Sequence, residues 1–124
     1  MKKRICYDNA MLHLRVYLCF NQEQFDNIAK LYNVKEPMDW CRSGVGQTKS
    51  LITPEGARVH IISISKAGRS KKDLIATLVH ECVHVWQWHK EFIGETADCW
   101  EIEAYFVTAV FSEFLPKVIG NLKG

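Results

Sequence analysis

Residues 70–92, SKKDLIATLVHECVHVWQWHKEF, contain no glycine or proline and carry apolar side chains at helical spacing. Ser70 and Asp73 stand in a capping-box-like arrangement at the start, with Asp in place of the usual Glu. With about 100° of turn per residue, Leu74, Leu78, Cys82, Val85 and Trp86 share one half of the wheel with Ile75, Val79 and Val83. Thr77, His80, Glu81, His84 and Trp88 fall on the other half. A helix with so broad an apolar face needs a sheet or a second helix to cover it.

The rest of the chain supplies both. MLHLRVYLCF, residues 11–20, alternates Leu12, Leu14, Val16, Leu18 and Phe20 against His13, Arg15, Tyr17 and Cys19, which is strand periodicity. NQEQFDNIAKLYNV comes next as a helix with Asn21 as N-cap. Residues 44–53 and ARVHIISIS, residues 57–65, read as two strands joined by the turn TPEG. After Gly94, TADCWEIEAYFVTAVFSEFL reads as a last long helix stopped by Pro116. The predicted order is β-α-β-β-α-α, an α+β class domain with a small three-stranded sheet packed on helices.

The chain of 124 residues fits one domain, residues 1–124, and is 48% hydrophobic and 24% charged, enough to bury a core. A net charge of +2 is too small to argue for nucleic acid by itself. Lys66, Arg69, Lys71 and Lys72 do cluster, and a solvated surface is the simplest account of them. Five cysteines without a C-x-x-C pair argue for a reducing compartment over a disulfide framework. MKKRICYDNAMLHLRVYLCF has a basic head, but Asp8, Asn9, His13 and Arg15 interrupt the apolar stretch behind it, so it does not read as a signal peptide. No apolar run is long enough to span a membrane. A cytoplasmic location is the resulting expectation.

Within the long helix, His80-Glu81-Cys82-Val83-His84 reads H-E-x-x-H. Histidines four apart lie one turn apart on one edge, where two imidazoles can reach one ion. Glu81 is close enough to hold a water without ligating. A third ligand is expected from the last helix. Glu103 falls in its most apolar arc, with Cys99, Trp100, Phe106, Val107 and Val110 around it. A lone carboxylate there needs compensation, and a divalent ion is a simpler partner than a buried Lys or Arg, in which both helices are poor. The helices are joined by a short turn around Gly94, so they are expected to be neighbours. His80, His84 and Glu103 are thus the expected zinc ligands.

These residues resemble the gluzincin branch of the zincin metallopeptidases, over residues 57–110: strand ARVHIISIS, helix HECVH, glutamate helix EIEAYFVTAVF. EIEAYF is similar to the glutamate-helix signature of ImmA/IrrE-like peptidases, with Tyr105 where that signature has Asn. The size resembles small single-domain zincins, including phage-encoded metallopeptidases. LVHECVHVWQ is also similar to SprT-like proteins, whose downstream third histidine is absent here. Many gluzincins carry an Asp one turn after the glutamate ligand; here it is Val107.

The resemblance implies a minimal zincin-like fold and a zinc-dependent metallopeptidase. Zinc with three protein ligands keeps a position for water, and Glu81 acts as general base. It also implies that a polypeptide substrate pairs as an extended strand along residues 57–65. His60, His89 and Tyr105 are candidates for oxyanion stabilisation. Two other readings stand beside it: a non-catalytic zinc-binding regulator or binding module, and a nucleic-acid-associated protease using the basic cluster.

Overall fold

The computed structural model describes residues 4–10, 13–35, 37–92 and 100–120. The elements are β1 (Ile5–Asn9), β2 (Leu14–Cys19), α1 (Gln22–Leu31), β3 (Gly46–Ile52), β4 (Arg58–Ile64), α2 (Lys71–Phe92) and α3 (Trp100–Ile119). The class is α+β, but the sheet has four strands in the order β1-β2-β4-β3. The expected three-stranded sheet is corrected by β1. Its ICYDN sequence is short, half-buried and partly polar, so it carries little periodic signal, yet it pairs antiparallel with β2.

β2 and β4 pair in parallel, and β3 pairs antiparallel with β4 across the Thr53–Gly56 turn. Gly56 adopts a φ of 87° there, in the region open to glycine. β2 is buried on both faces, not one. Leu14, Val16 and Leu18 join Ile62 and Ile64 under α2 and α3. Tyr17 and Cys19 join Val59 and Ile61 under Phe25, Ile28 and Ala29 of α1. The sheet is therefore covered by α1 on one face and by the α2–α3 pair on the other.

Asn21 caps α1 by accepting from the Gln24 amide at 2.8 Å. Ser70 does the same for α2, taking the Asp73 amide at 3.1 Å. α3 does not stop at Pro116 but continues to Ile119, and Val118 extends the buried stripe of Phe106, Val110 and Phe114. Burying one more turn offsets the single backbone hydrogen bond that proline removes. The turn around Gly94, Cys99, Leu12 and the side chains of Trp100 and Glu101 lie outside the described residues.

β4 hydrogen-bonds β2 on one side and β3 on the other. An extended peptide therefore has no unpaired edge to join along residues 57–65. The edge strand on that side of the sheet is β3, Gly46–Ile52.

Candidate functional site

β3 lies alongside α2 and runs in the same direction, with alternate residues facing the helix. A Cβ on Gly46 would stand 2.6 Å from Thr77 Cγ2 and 3.1 Å from Glu81 Oε2, so glycine permits the close approach. Two residues on, Thr48 Oγ1 donates to Glu81 Oε1 at 2.7 Å and lies 3.2 Å from the Glu81 carbonyl oxygen. Two further on, Ser50 Oγ is 2.7 Å from His60 Nδ1, and His60 Nε2 is 3.1 Å from His89 Nδ1. The sequence GQTKS thus presents Gly, Thr and Ser, small or hydroxylated, to one helix face.

This contact explains why Glu81 is only 4% exposed, although it belongs to the polar half of the helical wheel. The strand covers that half on one side. A buried carboxylate needs a hydrogen-bond donor, and Thr48 is one.

His80 and His84 remain at the surface of the cleft. Their Nε2 atoms converge to 3.1 Å, with the rings 4.7 Å apart at 80°. Gln87 Oε1 lies 2.8 Å from His84 Nδ1. With that amide oxygen as acceptor, the compatible tautomer of His84 carries hydrogen on Nδ1 and presents the Nε2 lone pair. A residue one turn along the same helix thereby orients His84, a role that the valine at position 107 is unable to fill.

Bond lengths of about 2.0–2.1 Å place two nitrogens on one zinc ion a little over 3 Å apart. The histidine pair fits that requirement. Glu103 does not join it. Phe106 packs 5.1 Å from Trp86 and 5.6 Å from His89, and Lys66 Nζ donates to the Lys117 carbonyl at 2.9 Å, so α3 runs back antiparallel along α2. Glu103, one turn before Phe106, falls towards the Phe92 end of α2. It is half-buried at the end of the apolar stripe, not enclosed within it, so its burial alone does not demand an ion. Among the described residues no group of three or more His, Cys, Asp and Glu side chains is gathered to hold a metal.

A cleft of about 510 Å³ is lined by Gly46, Gln47, Thr48, His80, Glu81, His84, Gln87, Trp88 and Glu91. A second hollow of about 440 Å³, walled by Ser43, Val45, Ala76 and Thr77, shares Gly46, His80 and Glu81 with it. The two form a groove along β3 and α2, with Glu81 at its middle.

Other sequence candidates lie elsewhere. His60 and His89 are fully buried beneath the sheet–helix contact, and Tyr105, 73% exposed, does not line the cleft. Burial, then His89 and Arg58, push His60 down to about 3, so it is neutral. Burial pushes the Cys82 thiol up to about 12, which denies an ion its thiolate. Trp86 packs in the core, whereas Trp88 is 44% exposed in the cleft. In the basic cluster, Lys66 also lies 4.2 Å over the Phe20 ring. Arg69 donates to Val45, Ser65 and Asp73 carbonyls and to Thr77 Oγ1. These two cations fasten the start of α2 to its surroundings, leaving Lys71 and Lys72 exposed.

Thr48, Gly46, Gln87, Trp88 and Glu91 are site residues that the motif did not announce. Gln87, Trp88 and Glu91 had a readable signal, their i+3, i+4 and i+7 spacing from His84, whereas Gly46 and Thr48 had none. Among the described residues no helix is long and apolar enough to cross a membrane. No protein-family model, curated protein sequence or solved structure matches this chain.

Proposed function

We propose that this protein is a zinc-dependent metallopeptidase on a minimal zincin-like domain. The observation that carries the reading is the meeting of two histidine nitrogens 3.1 Å apart with a buried, Thr48-held carboxylate in one cleft. His80 and His84 would hold the ion; Glu103, the third ligand expected from the sequence, stands apart from them here, so its ligation requires α3 to bring it to the cleft. When bound, zinc supplies the Lewis acidity that polarises a peptide carbonyl and acidifies water. Glu81 would accept the proton of the attacking water and pass it to the leaving amine. Thr48 occupies Oε1 of Glu81, which leaves Oε2 for the proton. The edge of β3 receives the polypeptide as an added strand, which brings its backbone past Glu81.

The test is Glu81→Gln. With zinc content unchanged, cleavage of an unstructured protein falls at least about 100-fold. Undiminished cleavage by the zinc-loaded variant removes Glu81 as base.

One observation favours a second reading, a non-catalytic zinc-binding regulator: Glu103 stands apart from the histidines. On that reading wild type binds zinc and cleaves nothing. The nucleic-acid-associated reading loses support from the internal engagement of Lys66 and Arg69.

A further inference from the structure

The groove is chemically uneven along its length. Around Ser43, Val45, Ala76 and Thr77 its lining side chains are small and uncharged, with the Arg69 guanidinium bonded to the Val45 carbonyl and to Thr77. At the other end it is walled by Trp88 and Glu91. Among the described lining residues of the larger cleft, the fixed charges are Glu81 and Glu91, and no Lys or Arg is present. Glu81 is buried and held by Thr48, so Glu91 is the exposed charge.

Trp88 and Glu91 are one helical turn apart, which sets the indole and the carboxylate side by side. A half-exposed tryptophan beside a carboxylate, in a cleft whose described lining holds no cation, is suited to an alkylammonium or guanidinium group. The cation lies over the ring face and reaches the carboxylate with its terminal nitrogens. A lone apolar side chain would leave Glu91 unused, and an acidic one would be repelled by it.

The distance from the histidines sets a register. Trp88 and Glu91 come after His84 by four and seven residues, about 6 and 10 Å along the helix at about 1.5 Å per residue. A polypeptide strand advances about 3.3 Å per residue. The cation therefore belongs two or three residues from the backbone carbonyl that faces the histidines.

We propose that the cleft selects an extended polypeptide segment bearing a lysine or arginine two or three residues from the bond presented to Glu81, with Trp88 and Glu91 as the specificity-determining residues. The location of that bond rests on the metallopeptidase reading; the cation site itself does not.

The experiment separates the two. Metal-stripped full-length protein is titrated, by fluorescence anisotropy, with an unstructured labelled peptide carrying one arginine and with its glutamine counterpart. The arginine peptide binds about tenfold more tightly to wild type, and the preference weakens as salt rises. Glu91→Lys abolishes the preference, and Trp88→Ala reduces it. Both positions are exposed, and circular dichroism checks that the variants fold. Equal binding of the two peptides, binding of neither, or an unchanged preference in Glu91→Lys overturns the proposal. Zinc is then restored and the cut mapped. A cut two or three residues from the arginine supports the spacing, and a cut elsewhere overturns it. A bound arginine peptide that stays whole in zinc overturns the peptidase reading while leaving the cation site standing.

Discussion

The Thr48 hydroxyl of β3 donates to the buried Glu81 carboxylate of α2 at 2.7 Å, and this bond joins the edge of the sheet to the centre of the H-E-x-x-H motif. It orients one carboxylate oxygen and leaves the other. Thr48→Val keeps the shape and removes the donor. Cleavage is expected to fall about 10- to 100-fold with zinc content unchanged, and stability by about 1–2 kcal/mol. Thr48→Ser restores most of both. Parallel activity assays and urea melts check this, and equal activity in the valine variant would sink the orienting role.

Gly46 makes the same junction possible by having no side chain. In Gly46→Ala the new methyl meets Thr77 Cγ2 at 2.6 Å. The expected loss is about 1–3 kcal/mol, because backbone on one side and a packed helix on the other must separate. Thermal denaturation reads it directly. A variant as stable as wild type shows that β3 can lift from α2 without cost.

Gln87 orients His84 at 2.8 Å from Nδ1. Gln87→Ala frees the ring to rotate and to exchange tautomers. Zinc affinity is expected to fall about 10- to 100-fold, measured by competition with a chromogenic chelator. No change would mean that the cleft, not this bond, sets the ring.

Glu103 is tested by metal content. Wild type is expected to hold about one equivalent of zinc, Glu103→Ala to lose it, and Glu101→Ala to retain it. Retention by Glu103→Ala assigns the third ligand to another residue. His84→Ala serves as the reference for a broken site.

His60 links stability to pH. Its folded value is about 3, against 6.5 for the unperturbed group, because burial, His89 and Arg58 disfavour the charged form. Between those values the unfolded chain binds a proton that the folded chain refuses. Stability is therefore complete above about pH 6.5 and declines as pH falls towards 3, by up to about 1.4 kcal/mol per unit. Denaturant melts at pH 7 and pH 5 measure it. His60→Asn, which cannot titrate, is expected to lose this part of the slope.

Much of the fold is legible in the sequence because it is written periodically. α2 and α3 arise from apolar residues at helical spacing, and β2 and β4 from dense apolar and β-branched runs. β1 is not legible in this way. Ile5–Asn9 is an edge strand only half-covered on either face, with Ile5 and Tyr7 against one cluster and Cys6 against the other, so its pattern is weak and its pairing with β2 defines it. Tyr17 and Cys19 look like the outer face of a strand until α1 is laid over them. Pro116 reads as a stop, but the burial of Val118 carries the helix past it.

The candidate site divides along the same line. The sequence by itself determined that His80 and His84 share one helix edge and that Glu81 stands between them, since helical geometry is local and repeats every turn. Only the tertiary structure decided that β3, not β4, is the available edge, that Thr48 reaches Glu81, and that Trp88 and Glu91 wall the cleft. It also decided where Glu103 falls along α2, because the register of two packed helices depends on which side chains interlock. Here Phe106 against Trp86 and His89 sets that register. Contacts between elements distant in sequence leave no periodic trace in either one, and a helix wheel carries no information about the strand that will cover its polar side.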